Sequence, residues 1–190
     1  MEPSYPKLLV LAAMTALYAV RAPFAWRSLR AKVTESRVGA TEVVLLCLAK
    51  LVFVLPLVWA LTPLLAFADY PTHPAVVTAG APLLLLGVWL FYRSHADLGD
   101  YWSPTLQIKE QHRLVTQGVY RRVRHPMYLG CLVYSSGLLL SLPNWLTAPP
   151  FAAAMLLLVA LRVPAEERML TDTFGEEYAE YCDKTRRLWP

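Results

Sequence analysis

A chain of 190 residues with 56% hydrophobic and only 17% charged side chains, and a mean hydropathy of +0.39, carries more apolar side chain than a water-soluble domain of this length can hide. Its class is therefore an integral membrane protein, and its net charge of +4 belongs at membrane edges rather than on nucleic acid, which is excluded as a partner. Cys47, Cys131 and Cys182 lie far apart, and neither they nor His73, His95, His112 and His125 show metal-ligand spacing, so no disulfide, structural zinc or other metal is expected.

Five apolar segments meet or approach the roughly 20 residues that a bilayer-spanning helix needs. The first, Tyr5 to Trp26, contains a run from Leu8 to Val20 that resembles a signal peptide. Its leading region carries Glu2 and only Lys7, however, and Arg21, Trp26 and Arg27 read as an interfacial anchor, so a retained helix is expected. The second, Val43 to Ala68, contains Lys50 about two turns from its start, within reach of the headgroups by snorkelling. The third runs from Ala75 to Tyr92, the fourth from Met127 to Leu142 and the fifth from Trp145 to Val163. Only Pro143 and Asn144 separate the last two, which predicts a tight antiparallel hairpin, and the fourth is short for a full span.

Positive charge sorts by loop. Arg27, Arg30, Lys32 and Arg37 fall between the first two spans, Arg93 to Arg124 supply six more between the third and fourth, and Arg162, Arg168, Lys184, Arg186 and Arg187 lie at or after the end of the fifth. The intervening loops, Asp69 to Pro74 and Pro143 to Asn144, hold no Lys or Arg. The positive-inside rule then places the N-terminus outside and the C-terminus in the cytoplasm. The expected fold is an all-α integral membrane protein of one domain. Residues 1–92 make three helices, 93–126 a cytoplasmic loop, 127–163 a helical hairpin and 164–190 a cytoplasmic C-terminal helix.

The loop "RSHADLGDYWSPTLQIKEQHRLVTQGVYRRVRHPMY" is too polar for the bilayer and too rich in Tyr, Trp and aliphatic residues for a free linker. It reads as a folded cap on the helix ends. Pro126 fits the first turn of the fourth helix with His125 at its N-cap, where free N–H groups can hold a carboxylate or polar ligand edge. Taken alone, Arg121, Arg122 and Arg124 are explained as a charge cluster anchoring the membrane edge. In "RVPAEERMLTDTFGEEYAEYCDKTRRLWP", Pro164 interrupts the fifth span, and Glu166 and Glu167 open a new helical pattern. Leu170, Phe174, Tyr178 and Tyr181 recur along it as a packing stripe. Were the helix to continue through the proline, Arg162 and Glu166 would share one face at i and i+4.

Together the runs "HRLVTQGVYRRVRHPMYLG" and "EERMLTDTFGEEYAEY" resemble the isoprenylcysteine carboxyl methyltransferase family, over a stretch from Leu98 to Pro190. The smaller prokaryotic members of that family are five-helix proteins, in keeping with the span count. The resemblance implies an S-adenosylmethionine site on the cytoplasmic side without a Gly-rich Rossmann loop, and no GxGxxG occurs in the chain. The implied cofactor residues are His112, Arg113, Leu114 and Val115, then Tyr120, then His125, Pro126, Met127 and Tyr128, and finally Glu166, with Gln107 a further candidate. Arg162 matches the position linked to the substrate carboxylate. The implied acceptor is a prenylcysteine or similar lipophilic acid entering from the bilayer among the membrane lipids. Two alternatives stay open: a phospholipid or small-lipid N-methyltransferase, whose amine acceptor would need a base, and a non-catalytic module binding partners or lipids through its basic face.

Overall fold

A computed structural model describes residues 4–30, 33–109 and 113–188 of the chain. Six helices follow in order: α1 (Ser4–Arg30), α2 (Ala40–Leu61), α3 (Pro74–Leu98), α4 (Pro126–Ser141), α5 (Ala148–Phe174) and α6 (Glu176–Lys184). α1, α2, α3 and α5 are long and apolar enough to cross a bilayer, and α4 is a shorter apolar helix of 16 residues, about 24 Å long at 1.5 Å per residue. The helical class is as expected. Among the described residues the only sheet is a two-stranded antiparallel ribbon of β1 (Val33–Ser36) and β2 (Gln107–Lys109).

Several boundaries differ from the sequence reading. α2 stops at Leu61, seven residues before Ala68, because Pro63 forces Thr62 into extended backbone. α3 starts with Pro74 in its first turn and His73 as N-cap, its Nδ1 accepting from the Ala75 N–H, and then runs six residues past Tyr92 to Leu98. The α4–α5 link spans 142–147 rather than two residues. Most consequential, α5 passes straight through Pro164 and ends at Phe174, so the expected break at 163/164 is absent. Proline removes one helical hydrogen bond, and the burial of Val163 and Met169 on either side holds the helix together. The break comes instead at Gly175, whose φ of +52° few other residues tolerate.

The loops tie the bundle at each end. At one pole β1, from the α1–α2 loop, pairs with β2, from the α3–α4 loop. At the other, Asn144 donates to the Leu65 carbonyl and to Asp69 Oδ1, both at 2.7 Å, and Trp59 Nε1 donates to the same Asp69 oxygen. The two loops rich in Lys and Arg thus share one pole, and the two that hold neither share the other.

α3 and α4 form the most extensive helix contact. Lipid offers apolar side chains the same environment as a neighbouring helix, so close backbone approach rather than hydrophobic burial drives this packing. A Cβ on Gly137 would lie 2.8 Å from the Leu84 nitrogen, one on Gly87 2.6 Å from Tyr134 Cβ, and one on Gly80 would overlap Ser141. Ser141 Oγ uses the proximity to donate to the Val77 carbonyl at 3.0 Å. The bundle core beside this seam includes Met14, Leu84, Leu138, Phe151 and Met155.

Candidate active site

At the charge-rich pole the α3–α4 loop folds over the helix ends as a cap. Gly118 permits its sharpest turn: its φ is +62°, and a Cβ there would collide with the Asp97 carboxylate. That carboxylate accepts from the Val119 N–H at 2.9 Å and from Arg93 at 2.6 Å. Tyr120 follows, buried, donating to the Ser94 carbonyl of α3 and accepting on its own carbonyl from Tyr181 of α6 at 2.6 Å. His125 then caps α4, which starts at Pro126 as the sequence predicts.

Beneath the cap lies a cleft of about 830 Å³, its open mouth included, between the α3–α4 loop, the start of α4, the second half of α5 and α6. Leu114, Val115, Tyr120, His125, Pro126, Met127, Tyr128, Arg162 and Glu166 all line it, as does Gln107. Of the other sequence candidates, Arg113 is exposed and does not line the cleft, and His112 falls outside the described residues.

Two acidic–basic arrangements organise the cleft. Glu166 Oε2 accepts from the hydroxyl of Tyr128, which is itself 3% exposed, at 2.7 Å. Continuity through Pro164 places Arg162 one turn earlier on the same helix. Its Nη2 donates to the Pro104 carbonyl at 2.8 Å and lies 3.5 Å from Glu42 Oε1, which also accepts from the Leu106 N–H. Arg162 thus arrives already paired, by a glutamate 120 positions away that pattern alone does not reveal. Arg162 Nε and Glu42 Oε2 are buried with no hydrogen-bond partner among the described residues. Such atoms are costly unless something else completes the site.

Glu167, next along the chain, turns away from Glu166 to hold the cap. It accepts from His125 Nε2 at 3.1 Å, from Arg124 at 3.3 Å and from Arg187 at 2.7 Å. Arg124 also donates to the carbonyls of Cys182 and Thr185, and Val123 pairs with Arg186. Arg124 is therefore an internal clasp rather than a membrane anchor; Arg121 and Arg122 are exposed. Arg21 also departs from its expected place at the membrane edge, since its guanidinium packs inward, 5.1 Å from the ring centre of Trp102.

The packing stripe does more than pack: Leu170, Tyr178 and Tyr181 line the cleft, as do Trp102 and Met169, which sequence reasoning missed. Their alternation of apolar and aromatic types is indistinguishable, in sequence, from ordinary core. Burial pushes the phenols of Tyr120, Tyr178 and Tyr181 well above their ordinary range, and the Glu166 charge pushes Tyr120 further. None of the three is a base at neutral pH. No group of three His, Cys, Asp or Glu side chains that could hold a metal occurs among the described residues.

Residues 79–172 match the model of the isoprenylcysteine carboxyl methyltransferase (ICMT) family. Protein-S-isoprenylcysteine O-methyltransferase A of Arabidopsis thaliana is 34% identical over 135 residues, covering 70% of this chain and 68% of its own. The B protein of the same plant is 33% identical over 120 residues, covering 62% and 61%. Among solved structures, the eukaryotic intramembrane Ras methyltransferase ICMT aligns with a TM-score of 0.56 at 23% identity, over 81% of this chain and 54% of that one. At that identity the structural likeness speaks for the fold alone. The chain spans about two thirds of the plant relatives' length and about half of the solved structure's. With its apolar helices it is an integral, multi-pass membrane protein. On the plant relatives and the family match together, the chain belongs to the isoprenylcysteine carboxyl methyltransferase family of membrane methyltransferases.

Proposed function

We propose that the chain is an S-adenosylmethionine-dependent carboxyl O-methyltransferase acting on S-prenylated cysteine or a similar lipophilic acid. The observation that carries this reading is the joining, in one cleft, of the Glu166–Tyr128 pair with a buried arginine one helical turn away. The cleft combines mainly apolar and aromatic walls with a few convergent polar groups, the make-up of a small-molecule site. When bound, S-adenosylmethionine would supply a methyl group activated by its sulfonium.

Glu166 offers a carboxylate for ribose hydroxyls or an amino group, oriented by the Tyr128 hydroxyl. Leu114, Val115, Met127 and Leu170 offer apolar walls for an adenine ring. Arg162 is suited to orient the acceptor carboxylate. Its pairing with Glu42 tempers its positive charge, which favours catalysis because too firm a grip would weaken the nucleophile. A carboxylate is already ionised at neutral pH, so the reaction needs alignment and exclusion of water rather than a base. The raised phenols of the cleft fit that requirement.

On this reading the cap lies in the cytoplasm, with the N-terminus outside, as the distribution of Lys and Arg indicates. The lipid tail enters from the bilayer between helices. The test is titration of the purified protein in detergent with S-adenosylhomocysteine. Saturable one-site binding, weakened in Glu166→Ala, is expected. Absence of binding would overturn the reading.

A further inference from the structure

Arg21 is set about two and a half turns short of the end of α1, too deep to be simply an edge residue. Its guanidinium packs on Trp102, which is 2% exposed and lines the cleft, and Trp102 in turn touches His95, with ring centres 4.5 Å apart. The titratable groups close enough to interact electrostatically with Arg21 are Cys131, Arg162, Tyr18 and His95, none of them an anion at neutral pH. A thiol and a phenol carry no charge near neutral pH, and Arg162 is a second cation. Among the described residues no carboxylate stands beside Arg21. By contrast Arg162 has Glu42, Arg93 has Asp97, and Arg124 and Arg187 share Glu167. A sequestered charge held only by an aromatic face is costly, and in a membrane protein it marks a place where an anion binds.

The side chains around Arg21 bear on which anion. Deeper in the bundle runs a narrow apolar crevice, with room for little more than a water, lined by apolar and aromatic side chains including Leu17, Phe53, Cys131, Tyr134 and Phe151. Leu17 is one turn of α1 from Arg21, and Cys131 is the thiol that acts on it. On its other side Arg21 packs on Trp102 of the cleft and lies within electrostatic reach of Arg162. Arg21 therefore stands behind the Trp102 wall of the cleft, among the apolar side chains that continue inward from it. A ligand matched to two cations in such apolar surroundings has an acidic head and an apolar body.

We propose that Arg21 is a second substrate-binding cation, pairing with the carboxylate of the lipophilic acceptor beside Trp102 at the inner wall of the cleft, while Arg162 holds the same group from α5. This deepens the preceding reading and rests on it. Arg21, Arg162 and Glu42 sum to one net positive charge, which an acceptor carboxylate neutralises. On methyl transfer, a carboxylate oxygen gains the methyl carbon, the carbon–sulfur bond breaks toward sulfur and no proton is exchanged. The resulting ester has no charge for Arg21 to hold, so the device selects acid over ester and favours product release.

The test uses Arg21→Met, which keeps an unbranched apolar stem and removes the charge, with Arg21→Gln as a second variant should the first not survive purification. Wild type and variant are compared for S-adenosylhomocysteine affinity, for KM and kcat with N-acetyl-S-farnesylcysteine, and for inhibition by its methyl ester. The expected result is a KM raised at least about tenfold, with cofactor and ester affinities within about twofold of wild type. A KM within about twofold of wild type, or parallel loss of acid and ester binding, would overturn the role of Arg21. If wild type itself forms no methyl ester, the failure belongs to the functional reading rather than to Arg21.

Discussion

Glu166 and Glu167 are adjacent in the chain yet serve different ends: one faces the cleft with Tyr128, the other anchors Arg124, His125 and Arg187. Glu166→Ala is expected to weaken S-adenosylhomocysteine binding about 10- to 100-fold, the equivalent of the roughly 1.5–3 kcal/mol of a charged hydrogen bond, measured by calorimetric titration. Arg162→Ala should leave that affinity nearly unchanged and lower kcat/KM for a prenylcysteine about 100-fold. Unchanged turnover would remove Arg162 from the acceptor site. The candidacy of Arg162 and Glu166 rested on the family resemblance, and the helix face they share at i and i+4 required α5 to continue through Pro164, against the expected break. Their partners were not legible in sequence: Glu42 reaches Arg162 across 120 positions, and Arg21 is recognisable only once Trp102 is seen beside it.

At the level of elements, the start of α4 was legible because proline in a first turn is a local signal, whereas the fate of Pro164 depended on packing around it. The α3–α4 seam depends on glycines at Gly80, Gly87 and Gly137, whose spacing gives no hint of which neighbour they admit. Gly137→Val should cost about 1–3 kcal/mol through overpacking, read as a lower thermal midpoint in detergent. The cap depends on Gly118, and Gly118→Ala should cost roughly 1–2 kcal/mol from its left-handed backbone, with more from the collision with Asp97. Faster amide exchange over 113–125 would report the loosened cap. Tyr178 and Tyr181 set its alkaline limit. Burial raises both phenols above their unfolded value, so the stability they confer is complete below about pH 10 and is lost as pH rises further, when the unfolded chain releases protons that the folded one retains. Melting temperatures across about pH 8–11 should stay level and then fall, the fall being smaller in Tyr181→Phe.

For the molecule as a whole, apolar composition and the sorting of Lys and Arg established a membrane bundle and grouped the loops correctly into two poles, as the β1–β2 ribbon and the Asp69–Asn144 contact show. The interlocking of the cap was beyond reach of sequence, because residues 123–125 pair with 186–187 through backbone bonds that carry no side-chain signature. The result is a cleft with apolar and aromatic walls and a few convergent polar groups, with Arg162 of α5 in its lining and Arg21 of α1 packed on its Trp102. A water-soluble cofactor and a lipid-borne acid can meet there. The central claim is the chemistry at that meeting point. The direct measurement incubates purified protein with S-adenosylmethionine labelled in its methyl group and either N-acetyl-S-farnesylcysteine or phosphatidylethanolamine. Base-labile methyl ester on the prenylcysteine is the predicted product; label on the amine, or on neither acceptor, would contradict the account.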